Sequence, residues 1–399
     1  MLRHVMAGAL LVVTAAPAGA QTVVTESEFL SVLGPDHPAV VQAAEDLAIA
    51  RASHVDVSAF ENPALEVVRE DPGPASQTDL MLSWQLPDAS RGLEIKAAEH
   101  RVRSAEATLA QAILSLRLEM REIYAQWAIA AAREGRLGAQ LERIDALARR
   151  GQVRAKRGET SGLEAHLLQL AAHSLAARLA LATADEAEAR ARIMSWNPRI
   201  AGDARPVLPE LSAHQKLNDP HPLVFAAEAE LAAARAARNA ARRFIRSPEL
   251  MGGWQRQQDG GESLDGPLLG LRWSIPLFRR NQAETLIADA RLRAAAAKLE
   301  HVQREIGAHR EAAVARYTSL ASSIARLELT SAENDRMLRG AEAAFLAGEA
   351  TVTEFLETLR SATEAELTLL ELSDAALAAL RDLQRFQGPG DAKPPMLIE

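Results

Sequence analysis

Two stretches of the chain, Gly92 to Arg157 and Asn281 to Ala347, each run for about 65 residues without a proline, and Ala, Leu, Glu and Arg dominate both. Helix rises about 1.5 Å per residue, so each stretch predicts a rod roughly 100 Å long. No single small core can bury such a rod, which must lie beside other helices as in a coiled coil. The composition agrees. Aromatics make up only 4% while 48% of residues are apolar, which favours long helices packed through small side chains over an enzyme-like core.

The two rods belong to two copies of one unit. "HPAVVQAAEDLAIARA" begins at His37 and "HPLVFAAEAELAAARA" at His221. A proline follows each alanine-rich helix, at Pro63 and Pro248, where a helix must stop. A strand-like segment and a turn come next, then "TDLMLSWQLP" in one copy and "GPLLGLRWSIP" in the other. Leu80, Leu82, Trp84 and Leu86 alternate with Asp79, Met81, Ser83 and Gln85, and Leu269, Leu271, Trp273 and Ile275 with Leu268, Gly270, Arg272 and Ser274, so each strand has one apolar face and one that is mostly small or polar. After each rod comes a glycine suited to a left-handed C′ position, Gly158 or Gly348. Ser161 with Glu164, and Thr351 with Glu354, then read as capping boxes that start a returning helix.

The predicted organisation is a signal peptide over 1–20 and a first repeat over 21–194, with a helix, a β-hairpin at 63–87, a long helix at 92–157 and a return helix at 161–194. A Pro- and Asp-rich connector with little regular structure spans 195–220. The second repeat, 221–386, has its hairpin at 248–276, long helix at 281–347 and return helix at 351–386, and a flexible tail covers 387–399.

The N-terminus reads as an export signal, with basic Arg3 and His4, an apolar run from Val5 to Ala15, and a small-residue end at Ala20. There is no cysteine, hence no disulfide framework and no thiolate chemistry. The formal charge of −8 becomes −9 when Arg3 leaves with the signal, and an acidic exported chain without a basic block is a poor nucleic-acid binder. No other stretch is continuously apolar for about 18 residues, which argues against a helical membrane span but not against barrel strands. His166 and His173 are seven apart and His301 and His309 eight apart. Both spacings put the rings roughly 10 Å or more from each other, too far to share one ion. No phosphate loop or nucleophile elbow is present, so neither a metal, a cofactor nor an enzymatic activity is expected.

Four strands cannot close a barrel, but three chains would supply twelve, and a closed barrel with an apolar outer face can span lipid. At this point the chain resembles the TolC-type outer-membrane efflux proteins along essentially its whole mature length. The duplication, both His-Pro helix starts, both hairpins and the turns at Gly158 and Gly348 carry the resemblance. It implies a mainly α fold with short β-hairpins. Three copies would form a periplasmic α-helical barrel beneath a 12-stranded outer-membrane β-barrel. It also implies export together with an inner-membrane efflux pump and a periplasmic adaptor. Within the family, the short chain and its acidic residues resemble the heavy-metal cation-efflux (CzcC-like) branch.

Family members narrow the periplasmic end with acidic residues just beyond the glycine turns. By that resemblance the constriction falls on Glu354 and Glu357, with Glu164 as the first-copy counterpart. A helix cap and a solvated helix face are equally good readings of these carboxylates. Ala350 replaces a basic residue of the best-known member, and Phe345 has no hydroxyl to donate, so the gate is expected either to be held by fewer polar bonds or to be opened by a different partner. The turns carrying Arg154, Arg157, Gly158 and Ser161, and Phe345, Gly348 and Thr351, would be the adaptor-docking tips. Trp84 and Trp273 are expected at a membrane interface, with packing between barrel and helices as the alternative. A secreted or periplasmic coiled-coil scaffold or adaptor is the competing reading, and it leaves the alternating apolar strands without a purpose.

Overall fold

The computed structural model describes residues 22–34, 37–71, 75–200, 204–211, 221–243, 247–259, 261–275, 278 and 280–387. The expected signal peptide, Pro276, nearly all of the expected tail and parts of the connector lie outside these residues. The chain forms two compact units. One comprises Met1–Val32, Met120–Ser212 and Leu320–Ala378, and the other Leu33–Glu119, Ala213–Ser319 and Ala379–Glu399.

A short strand β1 (Val23–Val24) and helix α1 (Glu26–Leu30) come first. Then follow α2 (Pro38–Ser58), β2 (Ala64–Glu70), β3 (Ala75–Gln85), α3 (Arg91–Lys156) and α4 (Gly162–Trp196). After a two-residue strand β4 (Arg205–Pro206), the same order returns as α5 (Pro222–Arg242), β5 (Glu249–Asp259), β6 (Glu262–Arg272), α6 (Gln282–Ala347) and α7 (Val352–Gln387). Corresponding helices match in length: α2 and α5 have 21 residues, α3 and α6 have 66. The His-Pro pair has a physical role. His221 is the N-cap of α5, its Nδ1 accepting the Leu223 N–H at 3.1 Å, and Pro222 supplies the preset φ of the first turn.

The second unit contains one antiparallel sheet in the order β2-β3-β5-β6. The two hairpins come from different copies and are joined edge to edge, β3 pairing with β5 from Ala75↔Asp259 to Gln85↔Glu249. Ser247 fastens the base of this junction. Its N–H donates to Asp88 Oδ1 and its hydroxyl to the Pro87 carbonyl, both at 2.6 Å.

In the first unit, α3, α4, α6 and α7 bury a common core that includes Leu137, Ile144, Leu168, Leu175, Leu338 and Phe355. Each such side chain is worth about 2 kcal/mol of apolar burial. Helix α4 is long and apolar enough to cross a membrane by length and composition. Part of that apolarity is spent in the core, on Leu168, Ala172, Leu175 and Ala182. The rest stands exposed as Leu163, Leu170 and Leu181.

Among the described residues of the connector beyond the end of α4, regular structure is limited to β4. Residues of β4 pair in parallel with β1, Val23↔Arg205 and Val24↔Pro206. Tyr124, fully buried on α3, holds this stitch. Its hydroxyl lies 2.8 Å from both the Val24 and Val207 carbonyl oxygens and accepts the Val207 N–H at 3.0 Å. Burial pushes its pKa up to about 12, so it remains a neutral donor.

Candidate functional site

Pairing register converts the alternation in each strand into one continuous surface. Val67, Leu80, Trp254 and Pro267 form one row across four strands, and Leu65, Leu82, Gly252 and Leu269 form the next. Trp84, Leu250 and Leu271 form a third. The large side chains in these rows are exposed, Leu269 to 87%. The opposite face mixes Glu66, Asp79, Gln77 and Gln255 with Met81 and glycines. An apolar surface this continuous is unstable in water and needs a partner, protein or lipid. Strands β3, β5 and β6 are each 11 residues long. The apolar rows occupy the half of these strands nearer the helices, and the outward positions of the hairpin half are polar.

Two glycines set how closely the strands approach. A Cβ on Gly253 would lie 2.2 Å from the Leu80 carbonyl oxygen, whereas one on Gly252 meets nothing nearer than Leu269 Cδ2 at 3.8 Å. Trp84 caps the face at the end where strands enter helices, its indole donating to the Glu61 carbonyl at 3.0 Å. Trp273 lies one residue beyond β6 at the same end of the sheet and is 53% exposed. Trp254 is the central residue of β5, in the last apolar row of the same face before the hairpin half, and was missed in the sequence. Leu250, Gly252 and Trp254 do alternate, but the Gly-Gly pair interrupts the apolar signal.

The two helix turns are built alike. Gly158 and Gly348 have φ of 73° and 76°. The Glu159 N–H reaches back to the Arg154 carbonyl and the Glu349 N–H to that of Ala344, each at 2.9 Å. With Gly158 N–H on Ala155 O and Gly348 N–H on Phe345 O, both turns are Schellman motifs. Their caps differ. Thr351 and Glu354 form the full reciprocal box: the Thr351 N–H donates to Glu354 Oε2 at 2.8 Å and the Glu354 N–H to the Thr351 hydroxyl at 3.2 Å. Ser161 instead accepts the Leu163 N–H, and Glu164 takes its hydrogen bond from the Thr160 hydroxyl. The expected capping box is thus incomplete in the first copy. The residue aligned with Thr160 is Ala350, so Glu354 has no competing donor there.

The expected tip residues do not share one environment. Arg157, Gly158, Ser161, Gly348 and Thr351 are exposed, and so is Arg154, whose guanidinium lies 3.8 Å from Glu159. Phe345 turns inward and stacks on buried Phe355 with centroids 5.4 Å apart. Of the proposed constriction, Glu354 is exposed, and its carboxyl is held below the ordinary carboxylate range by the Thr351 backbone N–H and then the Thr351 hydroxyl. Glu357 follows one turn later, exposed to 62% and bonded to Arg360 at 2.8 Å. It borders a cavity of about 330 Å³ with Arg360, Leu356, Leu167, Leu175 and Arg178. Among the described residues, no three His, Cys, Asp or Glu side chains converge as a metal-binding group.

A duplicated, mainly helical chain whose hairpins combine into a sheet with one exposed apolar face has the architecture of a TolC-type outer-membrane protein. Residues 214–388 match the sequence model of the outer membrane efflux protein family. The likeness in sequence thus covers the second copy, and the likeness in fold covers nearly the whole chain. That family consists of efflux proteins rather than enzymes. Its structure is similar to that of a membrane protein from Pseudomonas aeruginosa, with a TM-score of 0.75 at 20% identity over 95% of this chain and 94% of that one. It is also similar to the outer membrane protein VceC of Vibrio cholerae, with a TM-score of 0.73 at 16% identity over 92% and 96%. The open-state MtrE outer membrane channel of Neisseria gonorrhoeae matches with a TM-score of 0.69 at 17% identity over 92% and 89%. No curated protein sequence matches the chain.

Proposed function

We propose that this protein is the outer-membrane channel of a tripartite efflux system, a passive duct for solutes driven by an inner-membrane pump through a periplasmic adaptor. The observation that carries the reading is the four-stranded sheet with one continuous exposed apolar face. Its outer edges, on β2 and β6, have no strand partner among the described residues. Three copies would join β6 of one chain to β2 of the next, giving twelve strands and removing every edge. The exposed leucines of α4 supply a matching helical seam for a neighbouring copy.

Within that assembly Glu354 and Glu357 would meet their symmetry mates at a neck, favouring cations over anions. The exposed glycine turns would be the surface that an adaptor meets. Planar-bilayer conductance of the purified protein, with Glu354→Gln and Glu357→Gln compared, tests the duct and its neck together. Open-channel current with reduced cation preference in both variants is expected. Unchanged conductance and selectivity would remove the carboxylates from the neck. A soluble monomer that forms no channel would favour a scaffold instead.

A further inference from the structure

The apolar face of the sheet ends differently at its two margins. At the margin where strands meet helices, Pro63 precedes β2 level with Trp84, and the next outward positions are Leu86, Pro248 and Trp273, level with Glu61, with no cation among them. At the hairpin margin, the row beyond Val67, Leu80 and Trp254 is Arg69, Thr78, Arg256 and Asp265. These side chains stand on the lipid-compatible face, about 7 Å further along the strands. Arg69 and Arg256 are two strands apart, which places their backbones about 10 Å from each other.

Both guanidinium groups keep donors to offer. Arg256 binds Asp265 through Nε at 2.9 Å and Nη2 at 3.0 Å, which leaves its Nη1 edge outside that fork. Arg69 lies 3.9 Å from Asp71, beyond hydrogen-bonding distance, and its side chain is 68% exposed.

We propose that this margin binds the phosphate groups of a membrane lipid headgroup, with Arg69 and Arg256 as the ligating residues and Trp254 seated beside them at the interface. The inference rests on the membrane reading of the sheet. Arginine matches phosphate geometry with paired donors, and a tryptophan next to it suits the boundary between headgroup and chain. Asp71 and Asp265 offset the two positive charges. Binding therefore comes from directed hydrogen bonds, and the preference for a headgroup over a free anion comes from the row's place at the edge of the apolar face, where an anchored lipid presents its phosphate.

The test uses the full-length protein reconstituted in brominated phosphatidylcholine vesicles, with or without a glycolipid carrying two phosphates. Quenching of Trp254, isolated as the difference from Trp254→Phe, reports whether the sheet lies in lipid. Retention of the glycolipid on the purified protein reports the headgroup site. Retention is expected to fall about tenfold in the Arg69→Gln/Arg256→Gln variant, as for the loss of one charge-assisted hydrogen bond. A similar fall is expected on wild-type protein when the glycolipid is dephosphorylated, a comparison that needs no variant to fold. Intact quenching with equal retention in both comparisons would overturn the headgroup site and leave the membrane reading standing. Absent quenching would remove the membrane reading and this inference with it. Full competition by inorganic phosphate at matched phosphate concentration would make it a free-anion site and overturn the proposal.

Discussion

His221 shows how much one side chain can carry in this chain. Its Nδ1 caps α5 by accepting the Leu223 N–H, and its Nε2 lies 2.7 Å from the Arg385 carbonyl oxygen. The neutral tautomer protonated at Nε2 satisfies both contacts, whereas the imidazolium would point a second N–H at the Leu223 donor. Burial pushes its pKa below the ordinary 6.5, against the raising effect of the Arg385 carbonyl. The unfolded chain therefore binds more protons in this range than the folded one. The contribution to stability is full above about 6.5 and is lost as pH falls through the depressed folded value. Denaturation in detergent at about pH 7.5 and about pH 5.5 should show a lower midpoint in acid, with a smaller drop in His221→Asn, which keeps a capping oxygen but cannot titrate. An equal drop in both proteins would assign the acid sensitivity to other groups. His221 and Pro222 were legible in the sequence as a helix start, but the bond across to Arg385 was not.

At the scale of elements, the sheet depends on close backbone approach at a single glycine. Gly253→Ala would drive a Cβ into the Leu80 carbonyl oxygen, so β3 and β5 cannot keep their register. Gly252→Ala, with its nearest contact at 3.8 Å, should be accommodated. The pair predicts loss of heat-resistant oligomer on semi-native gels for the first variant and near-normal oligomer for the second. Equal behaviour would mean that the sheet tolerates a shift at this crossing. Nothing in the sequence distinguished the two adjacent glycines, because the difference is made by a strand more than 150 residues away. The helical turns were more readable. A glycine, a short polar linker and a hydroxyl residue act locally, and both turns fold as Schellman motifs.

For the whole molecule, the decisive quantity is apolar surface that one chain cannot cover. Leu163, Leu170 and Leu181 on α4 are each exposed by more than half, beside a core that already takes the other side of the helix. Leu170→Glu should leave the protomer folded while weakening association, because it touches only the uncovered stripe. Light scattering of the detergent-solubilised variant is expected to shift from trimer to monomer with unchanged helix content by circular dichroism. An unchanged trimer would place the subunit contact on another face of the bundle.

The sequence by itself determined the lengths of the helices, their repetition, the turns between them and the alternating faces of the strands. These are short-range consequences of proline, glycine, capping residues and hydrophobic period. Tertiary structure alone decided that the hairpins of the two copies join through β3 and β5, and that Tyr124 stitches the connector to the N-terminal strand. It likewise decided that Phe345 faces the core and that Glu164 turns to Thr160. Most of these choices depend on partners brought together from distant parts of the chain, and a periodic pattern carries no record of which partner will be met. For Glu164 the rival was local, and only the folded turn settled which neighbouring hydroxyl it would take.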